Sequence, residues 1–110
     1  MRGGMKINKY RNKKVTFEGM VFDSQKELKR WHELKLLERG KVITDLNRQI
    51  PFAIIINGQK ICKYLADFTY IENERFIVED VKSEYTRKLP VYRLKKKLLK
   101  AVLEIDIIEN

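Results

Sequence analysis

Residues 61–82 read ICKYLADFTYIENERFIVEDVK, and the fold turns on how this stretch is parsed. Ile61 to Ile71 is rich in β-branched and aromatic residues, as is Arg75 to Val81, and Glu72-Asn73-Glu74 divides them, so the stretch predicts an antiparallel strand pair. Asp67 stands inside the first strand, where packing asks for no carboxylate. Asp80 stands near the end of the second, with Lys82 two residues on. Strand alternation puts Asp80 and Lys82 on one side of the sheet and Glu79 and Val81 on the other, and pairing of the strands brings Asp67 towards Asp80. Two carboxylates held together repel unless something positive lies between them. A hard divalent cation resolves that repulsion with oxygen ligands. The ordinary alternative is a cross-strand ion pair on a solvated face.

Upstream, Ile50 to Ile56 (IPFAIII) predicts a third strand joined at Asn57-Gly58, with Pro51 suited to an edge or a strand start. Lys41 to Arg48 reads as a linker. Before it, Ser24 with Glu27 three residues later gives the capping-box pattern, and Leu28, Trp31, Leu34 and Leu37 recur in threes up to Gly40. At 100° per residue Glu27, Trp31 and Leu34 share a sector of roughly 60°, which leaves two readings: Glu27 closes the cap, or it is a carboxylate held over a cleft. Val15 to Phe22 predicts a hairpin turning at Glu18-Gly19. Residues 1–14 form a basic arm that either contacts phosphates or solubilises the terminus, and 15–110 a single domain.

Downstream, residues 82–88 read as a polar crossing. Pro90 to Leu103 predicts a helix with Val91, Leu94, Leu98, Ala101 and Val102 inward and Arg93, Lys95, Lys96, Lys97 and Lys100 mostly outward. Glu104 to Glu109 is the last strand. The fold class is α/β: a small mixed sheet, made of a three-strand antiparallel meander and a further strand, flanked by two helices with an N-terminal hairpin.

The chain has 110 residues, with 24 Lys and Arg against 15 Asp and Glu, so its formal charge is +9 and a polyanionic partner is favoured. A single cysteine, Cys62, excludes an internal disulfide, and a single histidine, His32, excludes multi-histidine zinc chemistry. Cys62 reads as a core filler and His32 as a partly exposed helix residue. No phosphate-binding glycine loop is present, so no nucleotide cofactor is expected. The absence of a long apolar run predicts no membrane partner, and cysteine usage fits a cytoplasmic setting.

Glu27 on the early helix, Asp67 on a strand and Asp80-Val81-Lys82 on the next resemble the PD-(D/E)XK nuclease superfamily, whose restriction-endonuclease-like core runs helix, three strands, helix, strand. FDSQKE, LNRQIPF, YLADFTY, VEDVKS and YRLKKKLL further resemble a family of small phage-encoded proteins of uncharacterised function placed in that superfamily, over roughly Asn8 to Glu109. The departure is Ala66, where the superfamily's variable proline would precede the strand aspartate. The resemblance implies that Asp67 and Asp80 ligate Mg²⁺ or Mn²⁺, that the main-chain carbonyl of Val81 completes part of the shell, that Glu27 acts through water, and that Lys82 is the catalytic lysine. Gln49 matches a polar position near the cleft, and a register shift would exchange Glu79 with Asp80. The implied activity is metal-dependent hydrolysis of DNA phosphodiesters, on branched or recombination-intermediate DNA in a phage context. Lys9, Arg11, Lys13, Lys14, Thr86, Arg87, Arg93, Lys96, Lys97 and Lys100 are the candidate phosphate contacts. A homodimer is expected, and in a phage setting the compartment is the host cytoplasm. Two alternatives remain: a catalytically silent nucleic-acid-binding or assembly protein, and a host-interaction protein that meets an acidic partner.

Overall fold

A computed structural model describes residues 13–110. Most of the basic arm, with Lys9 and Arg11, lies outside the described residues. Two short strands, β1 (Val15–Phe17) and β2 (Met20–Phe22), pair as the expected hairpin. Glu18 and Gly19 both take positive φ, 50° and 80°, which is the condition for a two-residue turn that matches the strand twist.

Helix α1 spans Gln25–Arg39 and starts where the capping residues say, with the Ser24 hydroxyl accepting from the Glu27 amide at 3.1 Å. The reciprocal bond is displaced by one residue. The Glu27 carboxylate accepts from the Asp23 amide at 3.0 Å.

Three long or medium strands follow: β3 (Thr44–Ile56), β4 (Gln59–Glu72) and β5 (Arg75–Asp80). β3 begins inside the segment expected to be a linker. Its polar start lacks strand propensity, but β4 offers ladder partners there (Thr44 opposite Ile71, Asn47 opposite Thr69), and Leu46 packs on the α1 side of the sheet. Tertiary pairing therefore overrides local preference. After a one-turn helix α2 (Glu84–Arg87), helix α3 (Pro90–Leu98) continues through a π-turn at Leu99–Leu103 into strand β6 (Ile107–Glu109). The sheet order is β3-β4-β5-β6; the first three are antiparallel neighbours and β6 runs parallel to β5, so the mixed sheet flanked by helices is as expected.

The inward face of α3 differs from the expected stripe. Tyr92 and Leu99 are buried, with Leu98 and Val102 packed beside them, whereas Val91 and Leu94 are 65% and 58% exposed. Lys95 and Lys96 fill the inward positions between Tyr92 and Leu99 by extending along the protein, their ammonium groups reaching the Lys63 carbonyl (3.1 Å) and Glu109 (3.0 Å). Long aliphatic stems can occupy an inward face while the charge escapes, which hides the helix phase from a pattern of apolar letters.

Two apolar clusters cover opposite faces of the sheet, since adjacent residues Ile77 and Val78 belong to different ones. Tyr64 and Ala66 pack with Val78, Tyr92 and Leu99, whereas Phe68 and Tyr70 pack with Leu34, Trp31 and Ile77. Uninterrupted alternation would put Tyr64, Phe68 and Tyr70 on one face. Instead β4 exchanges faces at Asp67. Across from it on β3, Gln49 holds a φ of 57°, a left-handed conformation that a non-glycine residue adopts at a local kink.

Candidate active site

The ladder between β4 and β5 runs from Glu72 opposite Arg75 to Phe68 opposite Glu79 and stops there. Beyond that point the aspartates take over from the backbone. Asp80 Oδ1 accepts from the Asp67 amide at 2.7 Å, and Asp67 Oδ2 accepts from the Val81 amide at 2.9 Å. Each carboxylate thus bonds the main chain at the other's strand. This reciprocal clamp explains how two acids can sit side by side where the strands part.

Asp80 is fully buried, and its Oδ2 has no hydrogen-bond partner among the described residues. The Lys82 ammonium stands 3.7 Å from that oxygen, an ion-pair distance too long for a hydrogen bond. Burial pushes the carboxyls of both Asp67 and Asp80 above the usual aspartate range, and the charge of Lys82 only partly opposes this. Lys82 is itself well placed by its surroundings. Its amide donates to the Asn110 carbonyl (3.1 Å), its carbonyl accepts from Lys26 (3.2 Å), and its ammonium lies 4.7 Å from the centre of the Tyr92 ring.

Glu27 approaches from α1 and is 2% exposed. Its Oε1 is taken by the Asp23 amide, and its Oε2 accepts from the Gln49 side chain at 3.2 Å, with Arg48 Nη2 3.8 Å away. Burial first, then the charge of Asp67, raises its pKa to about 7. One Glu27 oxygen thus serves the helix start and the other faces Gln49.

Glu79 belongs to a different structure. It points to the opposite face and accepts from Arg30 (2.6 and 3.0 Å), the Tyr70 hydroxyl (2.6 Å) and the Asn110 amide group (2.6 Å). With both oxygens committed, Glu79 is a buried anchor between α1 and β5, and Asp80 keeps the place that alternation assigned to it.

The remaining candidates divide. The Thr86 hydroxyl is engaged with Ser83 in the capping box of α2, accepting from its amide at 2.9 Å. Lys14 pairs with Asp23 at 2.7 Å on the surface. Arg87, Arg93, Lys96, Lys97 and Lys100 come together around one cleft beside β6. His32 is exposed with its ring against Phe17, and Cys62 is partly buried against the core.

Three residues escaped the sequence reading. Arg48 lies over the Phe22 ring at 4.2 Å and donates to the Val21 carbonyl at 2.7 Å, which holds its guanidinium beside Glu27. Tyr92 supplies the ring under Lys82. Glu109, opposite Asp80 in the β5–β6 register, accepts from the Tyr92 hydroxyl. A buried helix carboxylate does call for a nearby cation, and that requirement is the signal by which Arg48 could have been sought in LNRQ.

Asp67, Asp80 and the donorless Oδ2 suit a hard cation, which one or two carboxylates can hold when waters and phosphate complete its shell. Among the described residues, no three His, Cys, Asp or Glu side chains converge closely enough to hold a metal ion by themselves. No helix among the described residues is long and apolar enough to cross a membrane.

A family model described as "Protein of unknown function (DUF1064)" matches residues 7–105. No curated protein and no solved structure shows a significant match to the chain.

Proposed function

The chain belongs to the DUF1064 family, and from its geometry we propose that it is a metal-dependent endodeoxyribonuclease of the PD-(D/E)XK type. One observation carries the reading: Asp67, Asp80 and Lys82 meet where β4 and β5 part, with a buried Asp80 oxygen that no group among the described residues hydrogen-bonds. In this reading Asp67, Asp80 and the Val81 carbonyl would hold Mg²⁺ or Mn²⁺, with Glu27 acting through water. Such an ion, when bound, would supply charge stabilisation at the phosphoryl oxygens and a more acidic water.

The chain's own groups do the rest. Lys82, braced on Tyr92 and kept near Asp80, orients the attacking water and opposes the negative charge that grows as the phosphodiester opens. Glu27, poised near neutrality and held by Gln49 and Arg48, accepts a proton on the helix side of the site. The chain's excess of 24 cationic over 15 acidic residues favours a polyanionic substrate without predicting base readout. Branched or recombination-intermediate DNA, and a homodimer bringing two such sites together, extend the same proposal.

A second reading is a nucleic-acid-binding protein on this fold without catalysis. The incomplete convergence of acidic side chains favours it. Cleavage of labelled linear duplex, single-stranded, flap and four-way-junction DNA in Mg²⁺, Mn²⁺ or EDTA separates the two. Cutting by the wild type that needs metal and is lost in folded D80N and K82A supports the nuclease. Salt-sensitive binding without cutting in any metal supports the silent binder.

A further inference from the structure

Tyr92 has two sides. Its ring supports Lys82, while its hydroxyl donates to Glu109 inside a neighbouring cleft of about 390 Å³. Arg87, Arg93, Lys96, Lys97 and Lys100 line that cleft, against two acidic side chains, Asp106 and Glu109. Three positive charges are therefore in excess.

The pairing inside the cleft is uneven. The Glu109 carboxylate gathers the Tyr92 hydroxyl, Lys96 at 3.0 Å and Arg87 at 3.7 Å, and Lys100 is tied to Asp106 at 2.8 Å. Burial works against the charge of Glu109, yet Tyr92 and Lys96 outweigh it and hold the carboxyl below the usual glutamate range. Arg93 and Lys97, four residues apart on the exposed side of α3, have no anionic partner among the described residues. The cleft thus contains a ready set of donors around one carboxylate and two uncommitted cations beside it, an arrangement whose donors fit the oxygens of a phosphate as well as those of a carboxylate.

We propose that this cleft seats a phosphate of the substrate strand neighbouring the phosphate that is cleaved, and that the Glu109 carboxylate is the resident competitor it displaces. The proposal rests on the nuclease reading for the identity of the strand. Its placement comes from Tyr92 as the shared wall and from Glu109 standing opposite Asp80 in the β5–β6 register. A strand whose phosphate reaches Lys82 carries its next phosphate one nucleotide further along the backbone, and the shared Tyr92 side chain puts the cleft on the neighbouring side of that position. The seat gives the enzyme a grip on a nucleic-acid backbone that does not depend on the aspartates.

The test uses the ¹⁵N-labelled full chain in EDTA, titrated with single-stranded pentathymidylate, with inorganic pyrophosphate and with polyglutamate. Pentathymidylate should shift the amides of residues 87–109. R93A/K97A should weaken its binding roughly tenfold or more, as expected for losing charged contacts, and E109Q should tighten it several-fold by removing the competing charge. Unchanged or weaker binding in E109Q overturns the displacement. Tighter binding of pyrophosphate than of pentathymidylate at these residues assigns the cleft to a free phosphate ligand, and tighter binding of polyglutamate assigns it to an acidic protein; either result overturns the proposal. Because the titration needs neither metal nor cleavage, it fails separately from the nuclease reading. Cleavage with a KM unchanged by R93A/K97A removes the seat alone, and the expected binding pattern in a protein that never cuts removes hydrolysis alone.

Discussion

Replacing Glu27 with glutamine should remove a pH dependence of stability that the wild type carries. The native site raises this carboxyl from 4.5 to about 7, chiefly by burial and secondly by the charge of Asp67. Between those two values the folded protein holds a proton that the unfolded chain has released, so this group makes stability rise as pH falls from 7 towards 4.5. Above the folded value the buried charge opposes folding in full. The span corresponds to about 3 kcal/mol at most, and a side chain 2% exposed leaves little solvent screening to reduce it. Glutamine keeps the shape and an oxygen for the Asp23 amide while removing the charge. Urea unfolding in EDTA, at intervals from about pH 5 to pH 8, should therefore show E27Q gaining on the wild type with rising pH, from near equality to about 3 kcal/mol. Adding D67N to the wild type should flatten its slope, because one source of the shift is gone. A stability difference between E27Q and wild type that does not change with pH would refute the reasoning.

Other substitutions probe the framework around the site. Arg30→Ala strands the fully buried Glu79 without its two-pronged partner and should cost about 3–5 kcal/mol in denaturant unfolding at pH 7; a loss below about 1 kcal/mol contradicts the anchor. Leu99→Ala should destabilise by about 2–5 kcal/mol whereas Leu94→Ala should stay within about 0.5 kcal/mol, and the reverse order would restore the expected helix phase. Gly19→Ala meets no atom within 4 Å, yet its φ of 80° should lower stability by about 1 kcal/mol in thermal unfolding; an unchanged midpoint would show that the turn relaxes freely.

Local chemistry was legible in the sequence. The Ser24 cap, the Glu18-Gly19 and Asn57-Gly58 turns, and the strand pair around Asn73 are written within a few residues of where they act. The same holds for the alternation that separates Asp80 from Glu79. Features created by distant partners were not legible. Thr44 to Arg48 becomes strand because β4 is there to pair with it, and Lys95 and Lys96 occupy inward positions that no hydropathy pattern assigns to lysine. The face exchange at Asp67 was hidden for the same reason. It accompanies a left-handed Gln49 on the neighbouring strand and carboxylates that bond main-chain amides, neither of which has a period to detect. Arg48, Tyr92 and Glu109 reach the site across the fold rather than along the chain, so the side chains that brace Glu27, Lys82 and Asp80 emerged only with the structure.

The most direct test of the central claim is the binding of Mn²⁺ to the full chain, followed by electron paramagnetic resonance in the presence of an uncleavable phosphorothioate duplex. The account predicts one bound ion per chain, lost in D67N and D80N and retained in K82A, because the aspartates hold the ion and the lysine acts on water and phosphate. No bound Mn²⁺ in the wild type, or binding that survives in D80N, would contradict it.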